Sequence, residues 1–287
     1  MSGFKSIGEV VDAELAGKVR NYIWRKTPSQ ATTAGIWFDL SMSPGMPVPK
    51  YWFDAAPLTA RAITQSSDGG FYHGPNVSPS EKYLRRITTQ ASAATALPMN
   101  AILCDYLLYY PTTDDGTTDV QTMDNTVTLP RYTDGKGVQI LPITVGPRTG
   151  GQQFTISYTN SDGVAGRTTT ATTQNTSTVL GSVTGSNTAT INASNPFIGL
   201  RSGDSGVRSI ESVTMLGVDV GLMSLILVKP LAQTCFKETT VPYEKDFLIP
   251  TTDLIRIYDN AFLNFVCLPG GTLAATVLRG DLKVIWT

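Results

Sequence analysis

His73 is the only histidine in 287 residues, so any triad, acid–base relay or imidazole–metal site has to pass through it. It stands in the glycine-rich stretch 69–74 with Asp68 close by, which is the best acid–base pair the chain offers. A triad needs three groups in fixed geometry, and one loop histidine beside an aspartate reads as a solvated turn residue. The run Gly146-Pro147-Arg148-Thr149-Gly150-Gly151 is glycine-rich but lacks the Gly-Lys-Ser/Thr ending that grips phosphate and magnesium, and reads as a turn. No histidine pair with zinc-protease spacing and no Gly-x-Ser-x-Gly elbow occurs; Arg201 to Gly206 approaches one in composition only. The six glutamates, Glu9, Glu14, Glu81, Glu211, Glu238 and Glu244, supply no evident carboxylate pair for glycoside hydrolysis.

Asp114-Asp115-Gly116-Thr117-Thr118-Asp119, with Asp124 beyond it, gathers hard oxygen ligands that suit calcium. Its spacing departs from the EF-hand loop and lacks the closing glutamate, so a solvated acidic turn is the plainer reading. Arg279-Gly280-Asp281 is a tripeptide that some adhesion receptors read, here between Thr276-Val277-Leu278 and Leu282-Lys283-Val284, which predicts a turn or bulge of the last hairpin. Asn76-Val77-Ser78, Asn175-Thr176-Ser177 and Asn192-Ala193-Ser194 match the glycosylation pattern, as a Ser/Thr-rich chain does by chance. Trp24, Trp37, Trp52 and Trp286 with Tyr109, Tyr110 and Tyr158 could line a sugar platform, but aromatics at strand positions are more often core or subunit anchors. Cys104, Cys235 and Cys267 are odd in number and partly in apolar runs, which predicts buried free thiols rather than disulfides or zinc. No catalytic, cofactor-binding or metal-ligating residue is assigned.

Composition agrees with a non-catalytic reading. Lys and Arg number 22 against 23 Asp and Glu, a formal charge of −1, so nucleic acid is not an expected partner. Apolar residues reach 41%, too many for a disordered chain, whereas charged residues are only 16%. The polar surface must then be built from Thr, Ser, Asn, Gln and Gly, which favour strands and turns over helices. The most apolar stretch, 213–231, is interrupted by Gly217, Asp219, Gly221 and Lys229 and reads as buried strands, so no membrane contact is expected. Lys5, Glu9, Asp12 and Glu14 near the start argue against a secretory signal.

Two helices are expected. Ile7, Val10, Val11, Leu15, Val19, Tyr22 and Ile23 recur at helical steps after a Ser6-x-x-Glu9 capping box, predicting a helix over 6–23 that Pro28 stops. Ser78-Pro79-Ser80-Glu81 offers a second start, with Leu84, Ile87 and Ala91 as its inner face before Pro98. Strands are expected over 36–42 and 51–55. From residue 101 short aromatic and β-branched runs predict strands at 101–110, 138–145, 153–160, 164–173, 206–216, 218–229, 254–258, 261–268 and 274–286. Ser161-Asp162-Gly163 predicts a hairpin turn, and the Thr/Ser/Asn/Gly tract 167–195 reads as surface strands, an extended insertion or a mobile arm.

Several blocks resemble a family of virion structural proteins encoded by tailed bacteriophages. They are Cys104-Asp105-Tyr106-Leu107-Leu108-Tyr109-Tyr110-Pro111, Met123-Asp124-Asn125 with Thr128-Leu129-Pro130-Arg131-Tyr132-Thr133-Asp134-Gly135, and Phe154-Thr155-Ile156-Ser157-Tyr158-Thr159-Asn160. Ser202-Gly203-Asp204-Ser205-Gly206-Val207-Arg208-Ser209-Ile210-Glu211-Ser212-Val213 and Ala261-Phe262-Leu263-Asn264-Phe265-Val266-Cys267-Leu268-Pro269 continue the resemblance, which spans 101 to the C-terminus. These strings carry no known catalytic chemistry. The resemblance implies a virion component on or near the capsid.

The expected fold is mainly β: a jelly-roll or related antiparallel β-sandwich with two helices in the N-terminal half and an inserted β-hairpin subdomain. One domain over 1–287 is expected, with a helix-containing region at 1–98 and a Thr/Ser-rich insertion at 146–197; division near Thr133 is the alternative. The expected function is non-enzymatic: capsid decoration or cement in the virion, partnered by the major capsid protein or other virion proteins and forming a homo-oligomer. A tail, neck or head-fibre protein binding a receptor or glycan is the alternative, and a polysaccharide hydrolase ranks below both.

Overall fold

A computed structural model describes residues 3–66, 69–185, 195–248 and 254–287. Asp68 and Asn192 therefore lie outside the described residues, as does part of the 167–195 tract.

Helix α1 covers Ile7–Leu15, with the Ser6 hydroxyl accepting the Glu9 N–H at 3.2 Å. Glu9 reaches back as a capping box requires, although to the Lys5 N–H at 2.7 Å. The helix ends eight residues earlier than the periodicity predicts. Gly17 adopts φ +74°, the left-handed conformation that closes a helix, and Lys18 N–H then bonds the Ala13 carbonyl. The residues beyond, rich in β-branched and aromatic types, form strand β1, Val19–Lys26.

The expected second helix does not exist; its segment is strand β5, Lys82–Ala91. Lys82, Tyr83 and Leu84 are all buried, Tyr83 against α1 and Leu84 in the main core, and alternation then runs through Ile87, Thr89 and Ala91, one step out of phase with Leu84. The shift coincides with a break in register against Lys283 and Val284 of β17, Leu278–Trp286. One extra residue in a strand turns two period-two runs into spacings of three and four, which imitate a helix. Among the described residues α1 is the one α-helix, and no helix is long and apolar enough to cross a membrane.

Three sheets make up the rest, and every strand pairing within them is antiparallel. The first runs β14 (Tyr243–Asp246), β5, β17, β1 and β3 (Gly45–Met46), with β15 (Ile255–Ile257) also on β5. The second runs β2 (Phe38–Asp39), β16 (Phe262–Leu268), β6 (Met99–Asp114), β13 (Leu222–Phe236) and β8 (Gln139–Gly146), with β4 (Arg61–Ala62) on β6. The third runs β10 (Arg167–Thr168), β9 (Gln153–Asn160), β12 (Val207–Met215) and β7 (Gln121–Thr122), with β11 (Thr172–Thr173) on β9.

The long strands β6 and β13 organise the molecule. Met99, Ala101 and Leu103 of β6 share a core with Trp24, Leu84, Ile87 and Leu282 of the first sheet. Further along, Leu107, Leu108 and Tyr110 share a second core with Phe154, Ile156 and Val213 of the third sheet. Leu107 and Leu108 both enter it because the β6–β13 register shifts between Tyr106 and Leu108. On the opposite face Cys104, Tyr106 and Tyr109 pack with Trp37, Trp52 and Val183. One sheet thus carries a sandwich partner over each half of its length, about 50 Å for the sixteen residues of β6.

The strand at 153–160 falls where expected, and the hairpin turn follows it: Gly163 has φ +81° and bonds back to the Asn160 carbonyl. Tyr51 to Ala55 is loop rather than strand, and 36–42 keeps only β2 before a 3-10 turn, Leu40–Met42. The described part of the Thr/Ser tract is folded back against the body. Val183 N–H bonds the Trp37 carbonyl, Thr184 N–H bonds the Pro142 carbonyl, and both residues are buried.

Candidate interaction surfaces

His73, Asp105 and Asp39 lie inside and are engaged there. His73 is buried, not solvated as its glycine-rich setting predicts. Its Nε2 donates to the Ala261 carbonyl at 2.8 Å, which leaves the Nδ1 lone pair facing Lys82 Nζ at 3.4 Å. Desolvation, reinforced by the Lys82 charge, pushes the imidazole down to about 4, so it is neutral. Lys82 is itself saturated by Asp259 at 3.2 Å, the Pro75 carbonyl at 2.9 Å and the Gly74 carbonyl at 3.4 Å. The arrangement makes His73 a tie between the 69–75 loop, β5 and the residue that leads into β16.

Asp105 and Arg131 form a buried two-pronged pair at 2.7 and 2.8 Å, and Asp105 also accepts the Phe262 N–H at 3.0 Å. Asp39 gathers Ser41 Oγ at 2.5 Å, Trp52 Nε1 at 2.7 Å and Tyr106 OH at 2.8 Å around one buried carboxylate. Burial raises the proton affinity of both acids, against the lowering effect of their hydrogen bonds. These are structural knots that fix β2, β6 and β16 to the loops above them.

The acidic stretch does not close on a common point. Asp115 turns inward to Arg148 at 3.1 Å with both side chains fully buried, while Asp114 bonds the Gly116 N–H at 2.8 Å. Among the described residues no group of three or more His, Cys, Asp or Glu side chains is placed to hold a metal ion. Arg279-Gly280-Asp281 lies in the middle of β17, neither in a turn nor at a bulge. A Cβ on Gly280 would come 3.0 Å from the Trp24 ring and 1.9 Å from the Thr88 carbonyl oxygen, so the glycine admits Trp24 to the core. Trp24, Trp37, Trp52, Tyr109, Tyr110 and Tyr158 are buried, as the core reading of the aromatics requires. Asn76 is exposed and Asn175 buried; Cys104 and Cys267 are buried free thiols and Cys235 is half-buried.

Groups of large apolar side chains stand on the outside. Ile7, Val11 and Leu15 form an exposed stripe on α1 while Val10 and Ala13 pack on Tyr83 and Ile285. A second group, Met46, Val48, Tyr51 and Phe53, is presented by a loop clamped from below by Lys26. The buried Lys26 ammonium meets the carbonyls of Pro47 at 2.9 Å, Ser43 at 3.1 Å, Val48 at 3.3 Å and Ser41 at 3.4 Å. Desolvation pushes it down to about 8.

A third group forms a tip at the end of the long strands, where Leu216, Val218 and Val220 point outward and Asp219 points in. Asp219 accepts the Thr149 hydroxyl and, at 2.6 Å, the N–H groups of Gly150 and Val220. Its own N–H bonds the Asp115 carbonyl at 2.8 Å, which sets this loop beside exposed Asp114, Asp119 and Val120. Sequence reasoning found the apolar face of α1 and missed the other two groups, reading 213–231 as buried strands although the alternation of Leu216, Val218 and Val220 around Asp219 was a visible signal.

A fourth feature is the free edge of the first sheet. Strand β3 pairs with β1 only at Arg25 and Lys26, because Pro47 and Pro49 follow Met46 and cannot donate to a ladder. Thr27 N–H bonds the Pro44 carbonyl at 2.8 Å, and the antiparallel phase then turns the N–H and C=O of Ile23 and Asn21 toward the open side. At the far end Arg20 caps the Val19 carbonyl at 2.7 Å. Arg25 stands directly across from Arg279, both exposed, and Arg279 bonds the Gln90 amide at 3.0 Å rather than a carboxylate. Ile23, Arg279 and Gln90 border a shallow groove of about 390 Å³ on this face.

No family model and no curated protein matches the chain. The solved structures it is similar to include T=1 particles derived from infectious bursal virus, at 8% identity and a TM-score of 0.14, covering 93% of this chain and 76% of that one. The infectious bursal disease virus Gt strain structure gives 9% identity and a TM-score of 0.13, with 93% and 79% covered. Likenesses at this level carry no argument about fold or function.

Proposed function

We propose that this chain is a non-enzymatic structural protein of a tailed-phage virion, decorating or cementing the capsid through subunit contacts. The observation that supports it is a contrast: His73, Lys82, Asp39, Asp105 and Arg131 are buried and paired with one another or with neighbouring groups, whereas two groups of large apolar side chains stand outside on the buried polar anchors Lys26 and Asp219. A protein that works by repeated burial of surface needs rigidly presented apolar groups, and the Lys26 clamp and Asp219 anchor supply that rigidity. The block resemblance over 101–287 supports the phage assignment. The jelly-roll form belongs to the same proposal and is supported by the two sheet-on-sheet cores.

Particles produced without this chain test the reading. They should assemble and then lose integrity at lower temperature or lower ionic strength than complete particles, and added purified protein should restore them. Particles of unchanged stability would overturn the proposal.

A further inference from the structure

We infer that copies of this chain associate head to tail, the tip of one copy seating on the free β1 edge of the next. The inference rests on the structural reading above and names the faces that would carry it.

The edge is cationic and incompletely paired. Arg25 and Arg279 are cross-strand neighbours with like charge, an arrangement that costs stability unless an anion lies over them. Ile23, about three-quarters exposed at 73%, stands two residues from Arg25 on the same face and directly across from Asp281, whose carboxylate is already engaged by Arg86 and Thr88. The tip has the complementary composition: exposed Asp114 and Asp119 beside Val120, Val218 and Val220, with the one nearby guanidinium, Arg148, buried on Asp115. A two-fold edge-to-edge contact centred on the open Asn21 and Ile23 would place Arg25 across from Val19 or Asn21 and bring it no carboxylate, and a tip-to-tip contact would set aspartates against aspartates. Only the unlike pairing matches charge while burying Ile23 against valines.

The two faces lie over opposite halves of the long β6–β13 pair, so the contact is heterologous. Each copy keeps a free tip and a free edge, and association continues into a ring or an open row, the geometry a shell coating requires. The rigid anchors matter here because a preformed tip loses little entropy on docking.

The test uses the whole protein in analytical ultracentrifugation at low salt. Arg25→Glu with Arg279→Glu removes the edge, and Asp114→Lys with Asp119→Lys removes the tip; all four side chains are exposed on the surface, and thermal melts confirm each variant folded. The parent should form concentration-dependent oligomers, and each variant alone should associate about tenfold or more weakly. An equimolar mixture of the two variants pairs the unchanged tip of one with the unchanged edge of the other, and the reversed edge with the reversed tip, so charge matches at every contact and oligomers should return. Oligomers unaffected by either variant, a parent that stays monomeric while binding another particle protein, or a mixture with no oligomers would each overturn the inference. Failure here leaves the particle-stability result standing, so the two readings fall separately.

Discussion

Nζ of Lys82 lies 3.4 Å from Nδ1 of His73 inside the protein, and burial, reinforced by this contact, holds the only histidine of the chain in its neutral form. The folded imidazole, pushed down to about 4 from an ordinary 6.5, binds fewer protons than the unfolded one between those values. Its contribution is therefore present above pH 6.5 and is lost as pH falls toward 4. Asp105 and Asp115, pushed up to about 6 by burial, slope the opposite way below that pH. The readable quantity is the difference between parent and His73→Gln in urea-unfolding free energy across pH 4 to 7. The parent should lose about 3 kcal/mol more than the variant over that window. Parallel profiles would show that the histidine titrates normally.

Breaking the Asp105–Arg131 pair should be costly from either side. Arg131→Met strands a fully buried carboxylate that also anchors the Phe262 N–H, and a loss of about 3–5 kcal/mol is expected in chemical denaturation. Asp105→Asn with Arg131→Met together should recover part of that loss, since no unpaired charge then remains. A double variant as unstable as the sum of the singles would contradict the pairing.

Asp219→Ala removes three hydrogen bonds from the tip without touching its apolar residues. The 216–220 loop should become a site of limited proteolysis, with a global destabilisation of about 1–3 kcal/mol. Protection equal to the parent's would show that the loop is held by something other than Asp219.

Gly280→Ala tests whether the Arg-Gly-Asp string is architectural. The added methyl has no room between Trp24 and the Thr88 carbonyl, so a loss of about 1–3 kcal/mol or more is expected. Arg279→Gln, at an exposed position, should change stability by less than about 0.5 kcal/mol. Equal effects at the two positions would refute the packing argument.

The β-rich class was legible because short aromatic and β-branched runs mark β9, β12 and β16, whose ends fall within a residue or so of the sequence pattern, and because burial alternates cleanly in β9. Two helix expectations failed for different reasons. Gly17 cut the first, a signal visible in the sequence but outweighed by the apolar period that ran on into β1. The second was a bulged strand whose skipped residue at 85–86 converted alternation into helical spacing. The surfaces were less legible than the core, because outward and inward apolar residues are indistinguishable until the partner strands are known. Lys26 shows the limit most plainly: nothing in its neighbours announces that a lysine will be buried beneath four carbonyls.

The central claim is that the chain builds a particle, and quantitative mass spectrometry of purified source particles tests it most directly. The account predicts this chain in an amount comparable to the major shell subunit, as a coat over the lattice requires. Its absence from purified particles would contradict the account outright.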